Sequence, residues 1–263
     1  MNMHHQSGLT LLELLLAMVL GLVVLGGSIV VFGSTTVSSR GTLDQIKLNQ
    51  QLAALMSVMT DDIRRAGYWG NQTVANFTDP TTSPFHQMDN TQLEVHAANV
   101  QVAANSNVGG ECVVYTYDMD DDGLLDDAEI VGFRLNGAVA QMRINGDIAN
   151  NARHDSCNDA DDNWANLTDP SIVSVDVLNF GLGSSACLNA REPDLVDNDG
   201  VNGVDDAAEA DCYDQVPAVD SGDVTVETRQ VTIVLTGSLV SDPTVRATLT
   251  QDVRVRNDLI KVR

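Results

Sequence analysis

The sequence predicts an α+β protein: one long N-terminal helix, apolar first and amphipathic after, packed on a mostly antiparallel β-sheet head with long acidic loops. Three observations predict it. Leu9 to Phe32 is an apolar run with a single charged residue, Glu13. From Thr42 the apolar residues Leu43, Ile46, Leu52, Leu55, Met56, Met59 and Ile63 recur mostly at threes and fours, the period of one buried helix face. Towards the other end Val231, Ile233 and Leu235 fall at every second position. After a turn at Ser241-Asp242-Pro243, Val245, Ala247, Leu249, Val253 and Val255 keep that phase, which reads as an antiparallel hairpin with one buried face. No parallel crossover helices are evident.

The apolar run is long enough to span a bilayer, whose hydrocarbon core takes roughly 20 apolar residues of helix. A secretory signal peptide would have a cationic start, a shorter apolar core and a small-residue cleavage site after that core. Here the leader MNMHHQSG has no Lys or Arg, and the apolar run continues past the place for such a site. The stretch Gly8-Leu9-Thr10-Leu11-Leu12-Glu13 resembles the class III signal of type IV prepilins. That resemblance implies cleavage by prepilin peptidase after Gly8, methylation of the new amino terminus at Leu9, and retention of the apolar helix. Residues 1–8 are then a leader peptide and 9–32 the transmembrane and filament-core half of the helix. A carboxylate inside a membrane helix costs about 2.5–3.5 kcal/mol on insertion scales, so Glu13 calls for a partner. By the resemblance that partner is the free amine of a neighbouring subunit, and the helix N-terminus also favours a negative charge there.

Residues 33–67 form the amphipathic half of the helix. Gly21, Gly26, Gly27 and Gly33 each lower local helix stability by about 0.8–1 kcal/mol relative to Ala. Gly67 is the expected C-cap, reached after the basic pair Arg64 and Arg65. The stretch Arg64-Arg65-Ala66-Gly67-Tyr68-Trp69-Gly70, following such a stem, resembles the helix exit of the PilW group of minor pilins. Tyr68 and Trp69 are expected to pack where helix meets sheet. The head, 68–263, opens with a polar loop from Gln72 to Asn90 that contains Pro80 and Pro84. Strands are expected at Leu93 to Val102, Cys112 to Tyr117, Ile130 to Leu135, Val139 to Ile144 and Ile172 to Phe180, before the final hairpin.

Between the second and third of these strands, Asp118 to Glu129 matches a twelve-residue calcium loop. Calcium prefers six to eight oxygens, and such a loop supplies them from positions one, three, five, seven, nine and twelve, with glycine at six for the sharp turn. Those positions are Asp118, Asp120, Asp122, the Leu124 carbonyl, Asp126 and Glu129, with Gly123 at six. Leu125 at position eight is expected to enter the core. Because strands flank the loop, it reads as an isolated EF-like staple that makes no helix-opening switch. A second acidic stretch, Asp197 to Glu209, loses two ligands in strict register. One inserted residue restores Asp197, Asp199, Asn202, Asp206 and Glu209 as a thirteen-residue variant, a second candidate calcium site. Asp155, Asp159, Asp161 and Asp162 have no ligand spacing and read as a solvated loop.

Four cysteines, Cys112, Cys157, Cys187 and Cys212, all follow the membrane segment and allow two disulfides by three pairings in an oxidising compartment. A Cys187–Cys212 bridge would enclose the second acidic loop. With 14 basic and 37 acidic residues the formal charge is −23, which opposes nucleic acid or anionic lipid as partner and suits cations. Of five histidines, His4 and His5 lie in the leader, while His86, His96 and His154 are scattered without zinc spacing. No catalytic triad or phosphate-binding glycine loop is present.

The resemblance therefore implies a minor type IV pilin, a substrate of prepilin peptidase rather than an enzyme. Such a subunit is held by a single pass in the bacterial inner membrane with its head in the periplasm. It would join other minor pilins and the major pilin through the assembly platform, with a tip adhesin as a further partner and the pilus tip as its place. A minor pseudopilin of type II secretion shares the stem chemistry. A membrane-anchored calcium-binding adhesin outside any filament is separated by the sequence only through Gly8 and Glu13.

Overall fold

The computed structural model describes residues 10–70, 82–85, 91–98, 100–102, 108–143, 145–146, 157, 163–189 and 224–262. Two compact units divide the chain, Met1–Lys47 and Leu48–Arg263.

In the first unit, helix α1 begins; it runs unbroken over Leu11–Ile63 and enters the second. Thr10 opens it: the Glu13 amide donates to Thr10 Oγ1 at 3.3 Å, the side-chain cap that the first unsatisfied helix amides require. From Leu11 to Phe32 the large apolar side chains are exposed, and Glu13 sits in the first turn. That segment is about 33 Å long at 1.5 Å per residue. The helix is long and apolar enough to cross a membrane. Ser28, Ser34, Thr35, Thr36, Ser39 and Thr42 all turn their hydroxyls back onto carbonyls three or four residues earlier, so this polar band needs no outside partner.

In the second unit, Leu48, Leu52, Leu55, Met56, Met59 and Ile63 of α1 are buried in the core. The periodicity is as expected, but the buried stripe starts at Leu48; Leu43 and Ile46 are exposed. Among the described residues all strands pair antiparallel. A six-stranded sheet has the order β2-β1-β3-β4-β5-β6, from β1 (Glu94–Ala97), β2 (Val100–Val102), β3 (Cys112–Thr116), β4 (Ile130–Asn136), β5 (Val139–Arg143) and β6 (Trp164–Asn166). A second sheet places β10 (Gln230–Leu239) between β7 (Val173–Gly181) and β11 (Arg246–Arg254). A third places β9 (Val224–Thr228) between β8 (Ala186–Asn189) and β12 (Leu259–Val262).

The final hairpin is in the expected register, with Val231 opposite Val253 and Leu235 opposite Leu249. Val231, Ile233 and Leu235 are fully buried against the helix stripe in one core. The expected strand from Leu93 to Val102 is two strands, because Ala98 takes a left-handed φ of 48° and donates its amide to Glu111 Oε1 at 2.7 Å, folding the run into a hairpin. The short strands β6, β8, β9 and β12 have no expected counterpart. Cys112 on β3 is bonded to Cys157. Beside the bridge, Arg134 and Arg143 lie 4.2 and 5.2 Å from the ring centroid of buried Trp164.

Candidate functional site

The end of α1 and the loop from Asp118 to Glu129 are built together. Asp62, in the last turn of α1 and next to the apolar stripe, is 4% exposed. It accepts hydrogen bonds from Tyr115 (2.6 Å) and Tyr117 (2.9 Å), whose alternation on and just past β3 turns both rings the same way. Arg65 pairs with the same carboxylate and lies 4.6 Å over the Tyr117 ring. Burial, then the Asp62 charge, then its hydrogen bonds hold both tyrosine hydroxyls well above the usual tyrosine range.

Past Ile63 the chain leaves the helix in one turn. The terminal carbonyls need partners, and the last strands' approach supplies them. Arg256 donates its amide to the Arg64 carbonyl at 3.1 Å, and Asn257 Nδ2 donates to the Ala66 carbonyl at 3.1 Å. Gly67 is left-handed, φ 70°, as a C-cap glycine should be. Its amide, however, bonds the Thr116 carbonyl at 2.8 Å, so the turn closes onto β3 rather than back onto the helix.

The next three residues reach the acidic loop. Tyr68 donates its hydroxyl to Asp121 Oδ1 at 2.9 Å, and Asp118 donates its amide to the Tyr68 carbonyl at 2.9 Å. Trp69 Nε1 donates to the Gly123 carbonyl at 3.2 Å, and the Gly70 amide donates to Asp118 Oδ2 at 2.9 Å. Tyr68 and Trp69 thus hold a loop through polar contacts, where simple packing was expected. The hydrogen bond to Asp121 and that residue's charge raise the Tyr68 hydroxyl above its ordinary value.

Within the loop, short polar side chains fold the backbone around them. Asp120 Oδ1 accepts from the Asp122 amide, Asp122 Oδ1 from the Leu124 amide and Asp126 Oδ1 from the Ala128 amide. Asp118 Oδ2 also takes the Gly123 amide at 2.9 Å, and Gly123 supplies the left-handed φ of 80° that the turn needs. A 3₁₀ turn over Asp127–Glu129 ends the loop, capped reciprocally by Asp126 and Glu129. Glu129 accepts amides from Met119 (2.6 Å) and Asp126 (3.0 Å). Burial raises its pKa, opposed by those two amides and reinforced by the charges of Asp126 and Asp118.

Asp118, Asp120 and Glu129 converge, each with a carboxylate oxygen within 4.8 Å of the others. Asp118 is 2% exposed, and its Oδ1 has no hydrogen-bond partner among the described residues. A buried carboxylate with a partnerless oxygen, converging with two more carboxylates, is stabilised by a cation. The all-oxygen donor set, in a loop of this length, fits a hard divalent ion of calcium's coordination habit. Asp122 and Asp126 stand outside the converging trio, and Leu125 is half-buried instead of entering the core. With strands on both sides, Ile130 at the start of β4 takes the buried place.

Gly8, Leu9, the second acidic stretch with Asp197, Asp199, Asn202, Asp206 and Glu209, and Cys212 lie outside the described residues. So do Asp155, Asp159, Asp161, Asp162, His86 and His154, together with most of the Gln72 to Asn90 loop. Cys187 lies on β8 opposite Glu227. His96 is buried on β1 with Nε2 3.3 Å from Glu94 Oε2.

Asp62, Tyr115, Tyr117, Asp121 and Asn257 were not expected as site residues. The first three carried a signal: Asp62 lies three residues from Met59 on the buried helix stripe, and Tyr115 and Tyr117 share one side of an apolar strand run.

Two families match this chain. The prokaryotic N-terminal methylation motif matches residues 3–29. Prepilin peptidase-dependent protein B matches residues 41–255, most of the chain. No curated protein and no solved structure matches. The methylation motif includes the first part of the apolar helix, and prepilin peptidase-dependent proteins are substrates of that peptidase and not enzymes. The chain belongs to the prepilin peptidase-dependent protein B family and is a type IV pilin-like protein.

Proposed function

We propose that this protein is a minor type IV pilin that primes pilus assembly from the inner membrane and resides at or near the pilus tip, with a calcium-stabilised head. The observation that carries the reading is the methylation motif over residues 3–29, directly on a helix that keeps its large apolar side chains exposed from Leu11 to Phe32. Gly8 is the cleavage position and Leu9 the methylated terminus. Glu13, in the first turn, pairs with the free amine of a neighbouring subunit, which converts a residue costly in lipid into one that favours assembly in register.

The partners are prepilin peptidase, other minor pilins, the major pilin, the inner-membrane assembly platform and a tip adhesin, with the head in the periplasm before assembly. A likeness to the PilW group rests on Arg64 to Gly70. Calcium is supported by the convergence of Asp118, Asp120 and Glu129 and by the buried Asp118 Oδ1, which has no hydrogen-bond partner among the described residues. A second ion would sit among Asp197, Asp199, Asn202, Asp206 and Glu209. The large acidic head suits an end position, because a shaft repeat must pack against copies of itself on all sides.

The test is immunogold labelling of pili from cells carrying the wild-type protein or Glu13→Ala. The expected result is label at pilus ends for the wild type and its loss for Glu13→Ala, with membrane insertion and processing intact. Label along the full length would contradict the tip position, and normal incorporation of Glu13→Ala would contradict the role of Glu13.

A further inference from the structure

We infer that the helix exit is the outer half of the cation site: Trp69 and Gly70 position the loop's ligating groups, and cation uptake in turn fixes the exit segment to the loop. The inference rests on the calcium reading of Asp118, Asp120 and Glu129.

Asp118 is as buried as Glu129, and its two oxygens have different surroundings. Oδ2 accepts two amides, from Gly123 inside the loop and from Gly70 outside it, both at 2.9 Å. Oδ1 is left buried and without a hydrogen-bond partner. Two fixed amides on one oxygen set the carboxylate plane and leave the other oxygen as the ligand. The Gly70 amide is therefore the partner that orients a ligand while contributing none.

Space makes the same assignment. A Cβ built on Gly70 would stand 2.6 Å from Asp121 Oδ1, 2.9 Å from Asp121 Cα and 3.0 Å from Asp118 Oδ2. Any side chain at position 70 must push the Asp118 carboxylate or the loop backbone at Asp121, which already holds a left-handed φ of 63°. Trp69 acts one step further along: its indole N–H holds the carbonyl of Gly123, whose own amide is the other donor to Asp118 Oδ2. Tyr68 adds the Asp121 contact. The loop therefore receives donors from three successive residues of the exit, and a change in the loop is felt at those three residues.

Partners that orient a metal ligand typically govern about 10–100-fold in affinity. The test uses the full chain in detergent micelles, with calcium as the probe. Calcium affinity is read by calorimetry, and amide hydrogen exchange is followed over the peptides containing residues 64–70 and 118–129. Wild type should bind calcium and slow exchange in both peptides. Gly70→Ala should bind about tenfold or more weakly while its metal-free helix content matches wild type, and Gly181→Ala, whose added Cβ would meet only the Thr232 carbonyl at 4.0 Å, should bind as wild type. Trp69→Phe, which keeps the ring and loses the N–H, should weaken binding several-fold even if Gly70→Ala folds poorly.

Calcium binding that protects residues 118–129 alone, with Trp69→Phe equal to wild type, would overturn this inference and leave the calcium reading standing. No calcium uptake by the wild-type chain would overturn both.

Discussion

Tyr115 donates its hydroxyl to Oδ2 of Asp62 at 2.6 Å, joining the central strand β3 to the last turn of α1 across 53 residues of sequence. Both groups are buried, so the bond is made where its loss leaves a carboxylate oxygen without water. Hydrogen bonds to charged groups contribute about 1.5–3 kcal/mol. Tyr115→Phe should lower stability by about that amount in urea unfolding of the full chain in micelles. A loss within about 0.5 kcal/mol, the range of an indifferent surface change, would show that Asp62 does not depend on it.

The buried tyrosines around Asp62 also bear on the behaviour of the protein in alkali. Folding raises the hydroxyl pKa values of Tyr115 and Tyr117 above the ordinary tyrosine value, burial first and Asp62 second. An acid whose folded pKa is raised favours the folded state fully below its unfolded pKa, about 10, and loses that contribution as pH climbs through the folded value. Tyrosinate absorbance and far-ultraviolet circular dichroism, followed together above pH 10, should show late tyrosines ionising only as structure is lost. Double substitution by Phe should remove that late component. Early ionisation of all tyrosines with the secondary structure intact would contradict the buried pair.

Calcium should stabilise the head by mass action. A ligand at one hundred times its Kd contributes about 2.7 kcal/mol, so the melting temperature should rise with added calcium and fall in chelator. Asp118→Asn should abolish the response, because it removes the charge beside the partnerless buried oxygen. Equal melting of the wild type in calcium and in chelator would contradict a cation in this loop.

The bridge between Cys112 and Cys157 spans 45 residues of sequence. In the chain-entropy account, closing a loop of that size stabilises by about 4 kcal/mol. With that pair made, the expected second bridge is Cys187 to Cys212. Mapping of non-reduced peptides should recover those two pairs. A peptide linking Cys187 to Cys112 or Cys157 would contradict the arrangement.

Much of this was legible in the sequence where periodicity was long or a motif was complete. The helix stripe from Leu52 to Ile63, the Val231–Val253 hairpin and the left-handed Gly67 follow from spacing and residue type alone. The Leu93 to Val102 run misled because Ala98, a residue with no turn preference, takes the left-handed position with the help of Glu111, distant by 13 residues. Strands β8 and β12 are only four residues long, too short to show alternation, and their pairing partner β9 lies far from both in the chain. In the acidic loop the sequence named Asp118, Asp120 and Glu129, which converge, along with Asp122 and Asp126, which bond their own loop's amides. The roles of Trp69 and Gly70 were hidden for a different reason: they act on residues 48 to 54 positions away, through contacts that only the tertiary fold creates.

The most direct test of the central claim is the mass of the amino terminus after expression with a prepilin peptidase. The account predicts a chain that begins at Leu9, carries a methyl group on its amine and keeps the whole apolar helix, with Gly8→Ala leaving the leader attached. A wild-type chain that retains residues 1–8, or one cut after the apolar run near Phe32, would contradict it.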